Sequence, residues 1–384
     1  MTERLEVDVA IIGGGIAACA AAVALREAGL TVAVLEKRLC GAAASGVNFG
    51  GVRQQGRDLV ELPLARRARP LWDDLNRLLG EDVEFEASGH LKLARHEADM
   101  AELERYAKDA REYGLALTLL GANAVRDELP WLGPNVVGAS LCASDGQANP
   151  RVVGPAYARL ARKRGAAIRE FAPVHHAVAT GSGFAIEAEG VSVTSRWLVN
   201  AAGVGGGAVA SWFGERAPVS PLAPNMVVTE PLPYFISRSI GVVGGDIYVR
   251  QIQRGNVIFG GGHGWGDAER GLARPETEVS LGAMVRASDV VPALKGAHVI
   301  RSWSGMDGEM PDHIPVIGNS ATTARLIHAF GFSGHGFQLG PVIGLIIAEL
   351  ITKGETESPL APFAIERFAD WVDTGEAGRP VSMD

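Results

Sequence analysis

The sequence predicts an α/β fold in which a parallel β-sheet domain is interrupted by a mostly antiparallel one. The first observation is the run at residues 7–36, where an apolar strand, a glycine turn, an alanine-rich helix and a second strand follow one another. The second is residues 220–304, which are rich in extended, β-branched runs and glycine turns. The third is a return to α/β character after residue 311, ending in an apolar helix at 341–353. Together they predict a Rossmann-like domain assembled from separate pieces of the chain.

The N-terminal βαβ unit has the spacing of a dinucleotide-binding motif. After the strand at 7–12 comes Gly13-x-Gly15-x-x-Ala18, and Glu36 follows the strand at 31–35. Gly13 makes the tight turn, Gly15 lets a pyrophosphate approach the backbone, and Ala18 allows close packing of the helix on the strand. The helix then directs its N-terminal N–H groups at the phosphates. Glu36 is placed to accept hydrogen bonds from both hydroxyls of an adenosine ribose.

Composition excludes several classes of function. The net charge of −8 argues against a nucleic-acid partner, and the apolar run at 9–25 is interpreted as buried strand and helix rather than as a transmembrane segment. The three cysteines, Cys19, Cys40 and Cys142, form no CxxC pair. We therefore expect neither a cysteine-ligated iron–sulfur cluster nor a metal site, and a cytoplasmic location.

The remaining segments also alternate between helical and strand patterns. Residues 57–79, 97–113 and 150–165 have helical patterns, whereas residues 86–95 alternate as in a strand. Short strands are predicted at 168–173, 184–188, 190–194 and 197–201.

The dinucleotide is predicted to be FAD rather than NAD. The small-residue loop at 41–51 suits a ribityl chain, the strand at 197–201 continues into Ala202-Gly203, and residues 331–341 place backbone N–H groups beside a helix start. A second glycine pattern, Gly203-x-Gly205-x-x-Ala208, could indicate a nicotinamide site. The next strand-ending acid, Glu230, comes too late for that motif.

At these motifs the chain resembles the D-amino-acid oxidase superfamily, in the branch of glycine and sarcosine oxidases. The resemblance rests on VAIIGGGIAAC…VLEK, the loop at 44–51, WLVNAAG, the segment at 301–318, and HAFGFSGHGFQLGP. The last two motifs resemble FAD-bearing β subunits of opine and hydroxyproline dehydrogenases. The resemblance implies non-covalent FAD contacts at Gly13, Gly15, Ile16, Ala17, Glu36, Lys37, Arg38, Ala43, Ala44, Ser45, Asn48, Gly50, Gly51, Val174, Ala201, Ala202, Gly203, Gly334, His335, Gly336, Phe337 and Gln338.

The changes of pattern along the chain also predict a division into domains. Residues 1–85, 145–219 and 311–372 are predicted to form the FAD-binding domain, residues 86–144 and 220–310 the substrate domain, and residues 373–384 a flexible tail.

In this family an amine loses its α-hydrogen as hydride to flavin N5, so a strong side-chain base is not required. The resemblance places Tyr248 at the carboxylate-binding tyrosine and Arg53 near the flavin face. Arg250 shares a strand face with Tyr248, and His335 lies in the flavin turn, where it could contact the ring or the substrate. These four are the candidate catalytic residues.

Two family arginines are missing, because Asp307 and Gly334 occupy their positions. Asp307, Glu309 and Asp312 could meet a cationic group such as an opine guanidinium, or could form a solvated turn.

Three functions remain open. They are a self-contained oxidase of an amino acid or secondary amine, the FAD subunit of a hetero-oligomeric dehydrogenase with a redox partner, and a flavoprotein that binds without turnover.

Overall fold

The computed structural model describes residues 2–371, so the predicted tail at 373–384 lies outside the described residues. The strands are β1 (Glu3–Ile12), β2 (Val32–Leu35), β3 (Gly51–Val52), β4 (His90–Ala94), β5 (Thr118–Gly121), β6 (Gly138–Cys142), β7 (Gly146–Gln147), β8 (Ala167–Arg169), β9 (Val174–Ala179), β10 (Phe184–Ala188), β11 (Val191–Asn200), β12 (Ser220–Leu222), β13 (Pro224–Pro231), β14 (Ser239–Val242), β15 (Tyr248–Gln251), β16 (Asn256–His263), β17 (Trp265–Asp267), β18 (Leu272–Arg274), β19 (Val299–Ser304), β20 (Asp307–Glu309), β21 (Val316–Asn319) and β22 (Leu326–Phe330).

The α-helices are α1 (Ile16–Glu27), α2 (Ala44–Val47), α3 (Leu62–Asp73), α4 (Leu75–Leu79), α5 (Glu97–Glu112), α6 (Ala122–Glu128), α7 (Pro150–Lys163), α8 (Gly206–Ser211), α9 (Thr277–Val290) and α10 (Gly336–Lys353). Short 3₁₀ helices occur at Leu59–Glu61, Gly203–Gly205, Pro292–Gly296, Ala361–Phe363 and Ile365–Phe368.

The first large sheet has the strand order β21-β22-β11-β1-β2-β8, with the β9–β10 hairpin added beside β11. The five strands from β22 to β8 in this order are parallel, as predicted for a Rossmann-like domain. Ile12 lies opposite both Leu35 and Asn200, so the carboxyl ends of these three strands meet at one edge. Ligands bind at this edge in such sheets.

Helices α1 and α10 pack against each other on one face of this sheet. A Cβ added to Gly340 would meet Ile16, and one added to Gly344 would meet Ala20. The two helices therefore run in the same direction and start at the same end. Helix α10 is long and apolar enough to cross a membrane, but 67% of that span is buried inside the protein, as in a core helix.

The second large sheet has the order β19-β13-β16-β15-β14-β4-β6-β5 and is mostly antiparallel, with β14 parallel to β4. One of its faces is an apolar core that includes Leu91, Ile240, Val249 and Phe259, packed against Ala283 and other residues of α9. The other face is more polar and lies over the site described below.

Three sequence predictions differ from the structure. Helix α9 lies inside the segment predicted to be extended, where Ala283, Ala287 and Val290 form its buried stripe. The separate strands predicted at 190–194 and 197–201 are one strand, β11, because it pairs with β10 at one end and with β22 at the other. The strand predicted at 168–173 is only Ala167–Arg169.

The strands of the two sheets come from alternating stretches of the chain. The first sheet uses residues 3–35, 167–200 and 316–330, and the second uses 90–142 and 224–304. These stretches lie within the predicted domain pieces. The boundaries themselves stay a prediction.

Candidate active site

A long cavity runs from the carboxyl edge of the first sheet to the polar face of the second. Its wall is built by the glycine turn after β1, the loop at 43–51, the segment after β11, the turn before α10, and strands of the second sheet. Parts of the chain that are far apart in sequence therefore share one concave surface.

Three consecutive glycines shape the first end of the cavity. Gly13 has φ of +105°, and a Cβ there would overlap the carbonyl oxygen of Ala201. A Cβ on Gly14 would meet Cys40 at 2.7 Å and Glu36 at 2.9 Å. Backbone is therefore the only surface that the turn presents, which is what close approach of a pyrophosphate requires.

Glu36 is held in a fixed position at the end of β2. Its carboxylate accepts hydrogen bonds from the Gly14 N–H at 2.6 Å and from the Arg38 N–H at 2.8 Å. A carboxylate has about four lone-pair sites, so capacity remains for ribose hydroxyls. Glu36, Lys37 and Arg38 all line the cavity.

Helix α1 presents its N-terminus to the cavity. Its N-cap is Gly15, which has no side chain, and the Ile16 N–H instead donates to the Ser45 hydroxyl at 2.9 Å. Ile16 and Ala17 line the cavity. The positive end of the helix dipole therefore faces the space in which a phosphate would lie.

The loop at 43–51 is folded by its own asparagine. The Asn48 side chain donates to the carbonyl groups of Ala44 and Ser45, and its oxygen accepts from the Gly50 N–H at 2.8 Å. Gly50 has φ of +83°, and a Cβ there would overlap the carbonyl oxygen of Ala148. The loop is thus fixed before any ligand binds.

The turn before α10 is fixed by Asp307. Its two carboxylate oxygens accept from the N–H groups of Gly308 and Gly334, each at 2.8 Å, and burial raises its pKa. The family arginine expected at this position is therefore replaced by a residue that holds the turn in place. This contact gives Asp307 a structural role.

Beneath that turn lies a hydrogen-bonded cluster of charged side chains. His335 Nδ1 is 2.7 Å from Glu61, and its Nε2 is 3.5 Å from Arg53 Nη2. An arginine can only donate, so Nε2 is the acceptor and the proton lies on Nδ1, which donates to Glu61. Arg57 donates to the Gln338 side chain at 3.0 Å and lies 3.8 Å from Glu61.

Burial and charge set the ionisation of this cluster. Burial lowers the pKa of His335, although the neighbouring Glu61 carboxylate raises it. The imidazole is therefore neutral. Burial opposes ionisation of Glu61, but His335, Arg57 and Arg53 outweigh it and lower the pKa of that carboxyl. Burial lowers the pKa of Arg57 to about 10, so the guanidinium stays charged.

The polar face of the second sheet closes the far end of the cavity. Tyr248 lines it, with its hydroxyl 3.5 Å from the sulfur of Met226 and its ring 4.7 Å from that of Phe49. Lys92 and His90 line it from β4. Burial lowers the pKa of His90 to about 3, so this histidine is neutral at physiological pH.

Most of the residues predicted from the sequence meet at this cavity. It is lined by Gly13, Gly15, Ile16, Ala17, Glu36, Lys37, Arg38, Ala43, Ala44, Ser45, Asn48, Gly50, Gly51, Arg53, Ala201, Ala202, Gly203, Tyr248, Gly334, His335, Gly336, Phe337 and Gln338.

Two predicted residues are not in the lining. Arg250 is buried behind the loop, where it donates to the Ala148 carbonyl at 3.1 Å and lies 5.4 Å from the ring of Phe49. It shares the strand face of Tyr248, but Phe49 lies in front of it, so direct substrate contact is not supported. Val174 lies in β9, two residues after Ala172, whose N–H donates to the Glu36 carbonyl.

The second glycine pattern does not build a nicotinamide site. Gly203–Gly205 is a 3₁₀ turn followed by the short helix α8, after which the chain enters β12 and the antiparallel second sheet. No parallel strand follows to complete a βαβ unit within residues 203–231. Ala202 and Gly203 instead line the cavity already described.

Sequence reasoning missed Arg57, His90, Lys92 and Glu61. The first three line the cavity, and Glu61 lies directly behind it. His90 and Lys92 alternate within the strand-like segment at 86–95, and this spacing was the available signal that both face the same side. No local signal links Glu61 to His335, which lies 274 residues further on.

The fold and the cavity are those of a dinucleotide-binding protein. The family model described as FAD dependent oxidoreductase (DAO) matches residues 8–350. The chain therefore belongs to this family and is an FAD-dependent enzyme.

Individual relatives agree with this assignment. The chain is 29% identical to one of the subunits of opine oxidase from Rhizobium meliloti, with 94% of this chain and 98% of that protein covered. It is 27% identical to glycine oxidase of Geobacillus kaustophilus, with 96% and 98% covered. Among solved structures, L-proline dehydrogenase from P. horikoshii superposes with a TM-score of 0.87 at 26% identity, covering 96% and 99% of the two chains.

The residues present fit FAD. The glycine turn, the α1 N-terminus and Glu36 suit the pyrophosphate and the ribose, and the α10 N-terminus with the turn at 334–338 suits the flavin end. The Gln338 side chain itself is occupied, because it accepts from Arg57 and donates to the Ala65 carbonyl. The side chain is therefore unavailable, and mainly the backbone of Gln338 is left to contact a cofactor.

Proposed function

We propose that the enzyme oxidises a C–N bond in an amino acid or secondary amine to an imine, which water then hydrolyses. The observation that carries this proposal is the continuity of the cavity from the dinucleotide-binding residues to the polar sheet face at Tyr248 and Lys92. Bound FAD would accept the α-hydrogen with its electron pair, while the amine proton leaves to solvent. Relatives named for opine, glycine and proline substrates support this class of substrate.

The polar side chains of the turn before α10 and of the second sheet suit hydride transfer better than proton abstraction. His335 is neutral, with both ring nitrogens engaged, and Asp307 is engaged by two backbone N–H groups. Burial raises the pKa of the Tyr248 phenol, so it stays protonated and can only donate its proton or accept through a lone pair. These groups orient a neutral amine without needing to deprotonate carbon.

Apolar residues at this end exclude water from the reacting atoms. Four apolar side chains line the cavity, those of Phe49, Met226, Ile247 and Met306, and the first two contact Tyr248. A dry pocket strengthens the interactions of the few polar groups and protects the hydride-transfer step from solvent. Hydrolysis of the imine then follows when water regains access.

The experiment is anaerobic bleaching of the FAD-loaded protein by a panel of D-amino acids, N-methyl amino acids, hydroxyproline isomers and opines. Loss of the visible absorbance of oxidised flavin with at least one amine, and formation of the matching keto acid or aldehyde, is the expected result. The corresponding alcohols, offered at the same concentration, are the control. If every amine leaves the oxidised spectrum unchanged, the proposal is wrong and a binding role is favoured.

A second candidate is that this chain is the FAD-bearing subunit of a hetero-oligomeric dehydrogenase. The observation in its favour is strand β19, which forms one edge of the second sheet. Val299 and Ile300 on this strand are 48% and 60% exposed. An apolar sheet edge is a favourable surface for another chain. The relatives named as subunits of opine oxidase and sarcosine oxidase support the same proposal.

Electron acceptors discriminate between the two. If the chain acts alone, amine-dependent hydrogen peroxide forms from the purified protein. If it needs a redox partner, dye reduction appears only in preparations that retain a second subunit, and Ile300→Asp lowers the fraction of assembled complex in size-exclusion chromatography. Val178→Asp is the matched control, because Val178 is exposed on β9 of the first sheet. Full oxidase turnover by a monomer would refute the subunit assignment.

A further inference from the structure

Two of the three cysteines meet at the middle glycine of the turn after β1. The Cys19 thiol donates a hydrogen bond to the Gly14 carbonyl, with 3.5 Å between sulfur and oxygen. A Cβ added to Gly14 would lie 2.7 Å from Cys40 Sγ, so the second sulfur reaches the same glycine from the loop after β2. Gly14 lines the dinucleotide cavity. Both thiols are therefore packed on backbone that the cofactor is expected to contact.

The two thiols also contact each other. A hydrogen bond with the Cys40 side chain, followed by burial, raises the pKa of Cys19. Both residues are free cysteines. Cys142, the third cysteine, belongs to β6, where its sulfur lies 3.5 Å from the hydroxyl of Ser144. Cys19 and Cys40 are thus a pair of adjacent thiols, and Cys142 supplies a comparison within the same protein.

A second cavity, beside helix α7, reaches this pair. It has a volume of about 490 Å³, and its wall includes Cys40 and Arg162 but none of the glycines at 13–15. Cys40 is 4% exposed and Cys19 is 0% exposed. A small solute in this cavity therefore meets Cys40 first, with Cys19 behind it. The route does not cross the glycine turn, so bound FAD would leave it open.

The backbone connects the pair to the dinucleotide site. Besides the Cys19 thiol, the Gly14 carbonyl accepts a hydrogen bond from the N–H of Gly41, the residue after Cys40, at 2.9 Å. The N–H of Gly14 donates to the Glu36 carboxylate at 2.6 Å. Gly14 therefore links the thiol pair to the acid that is expected to hold the ribose. A displacement of Cys40 relative to Cys19 would be transmitted to both.

We propose that Cys19 and Cys40 are a redox-sensitive pair, which hydrogen peroxide converts into a disulfide that weakens FAD binding. The Cys40 sulfur attacks one peroxide oxygen and becomes a sulfenic acid, and the other oxygen leaves with the thiol proton as water. The Cys19 sulfur then attacks the Cys40 sulfur, and the sulfenic oxygen leaves with the Cys19 proton as a second water. The two thiols lose two electrons and two protons, and peroxide is reduced to two waters.

The disulfide would change the turn in two ways. It has no S–H group, so the Gly14 carbonyl loses the hydrogen bond from Cys19. Bonding also draws the two sulfurs closer than a non-bonded contact allows, which moves Cys40 away from Gly14 and takes Gly41 with it. A dithiol reductant would restore the original arrangement. If the chain acts alone as an oxidase, its own product supplies the peroxide.

Peptide mapping tests the bond in the wild-type protein. The full-length, FAD-loaded protein is treated with hydrogen peroxide, its remaining thiols are blocked with iodoacetamide, and trypsin releases Cys19 in residues 5–26 and Cys40 in residues 39–53. We expect mass spectrometry to find these two peptides joined by a disulfide. Cys142 should carry the thiol-blocking group, because it is not in contact with either partner.

FAD titration tests the consequence. Apoprotein is prepared with the pair oxidised and with the pair reduced, and each is titrated with FAD by quenching of flavin fluorescence. We expect the Kd of the oxidised form to be about 10-fold higher, and dithiothreitol to reverse the change. Cys40→Ser should abolish the response to peroxide, and the matched control Cys142→Ser should keep it. The comparison of oxidised with reduced wild type stands even if a variant folds poorly.

Either of two results would overturn the redox pair. One is that peroxide leaves peptides 5–26 and 39–53 unlinked. The other is that the linked protein binds FAD within twofold of the reduced protein. Both measurements are independent of the proposed function, which fails only if every amine leaves the flavin oxidised.

Discussion

Glu36 gives the sharpest test of how the dinucleotide is held. Its carboxylate is already fixed by the N–H groups of Gly14 and Arg38, at 2.6 and 2.8 Å, so the unbound protein orients it in advance. Replacement by alanine removes both of these bonds and the two expected from the ribose hydroxyls. Hydrogen bonds to a charged group contribute about 1.5–3 kcal/mol each, and water compensates part of this in the variant. Taking the lower figure for two ribose bonds gives about 3 kcal/mol, or about 100-fold in Kd.

The measurement is reconstitution of apoprotein with FAD, followed by quenching of flavin fluorescence. Glu36→Gln should lie between wild type and Glu36→Ala, because the amide oxygen keeps an acceptor without the charge. Glu187→Ala, an exposed position on β10, controls for general effects of removing an acid from the same sheet. An Ala variant that binds FAD within threefold of wild type would show that the ribose contact is wrong.

Three further predictions follow from the site. Gly13→Ala should abolish FAD retention and lower Tm sharply. Gly29 also has a positive φ but faces open space, so Gly29→Ala should lower the free energy of unfolding by only about 1–2 kcal/mol in thermal unfolding. Equal losses of stability in the two variants would refute the steric argument. Because the pKa of Glu61 is lowered in the folded protein, its stabilisation is present above about pH 4.5 and is lost as the pH falls through the folded pKa. The difference in Tm between wild type and Glu61→Gln should therefore shrink below about pH 4 in scanning fluorimetry. Glu104→Gln, on the exposed face of α5, is the control, and a constant difference would contradict this sign. Tyr248→Phe should change stability by less than about 1 kcal/mol, since its hydroxyl contacts a methionine sulfur, a weak acceptor, yet raise KM; unchanged KM would remove it from the substrate site.

The N-terminal half of the site was predictable because its signal is local. The turn at Gly13, the start of α1 and the acid at Glu36 lie within one βαβ unit, and the structure places all three on the cavity wall. The loop at 43–51 and the turn at 334–338 were recognisable for a related reason, because small residues and backbone contacts dictate their conformation.

The catalytic end was less predictable because it depends on contacts between distant segments. Arg250 was placed correctly on the face of Tyr248, but the alternation of a strand does not reveal that Phe49 from another loop covers it. The ionisation of His335 depends on Glu61, and no local pattern joins the two. Helix α9 was missed although Ala283, Ala287 and Val290 have helical spacing, because β-branched residues around it resembled the flanking strands.

The parallel contact between α1 and α10 has an electrostatic consequence. Gly340 and Gly344 allow their backbones to lie side by side with both N-termini at the cavity, so two partial positive charges are brought together. In the apoprotein these helix ends repel one another, and bound FAD would reduce that repulsion, because its pyrophosphate would meet the α1 end and its flavin the α10 end. Bound FAD would therefore stabilise the parallel packing of α1 and α10. Its removal should loosen these two helices before it disturbs either sheet.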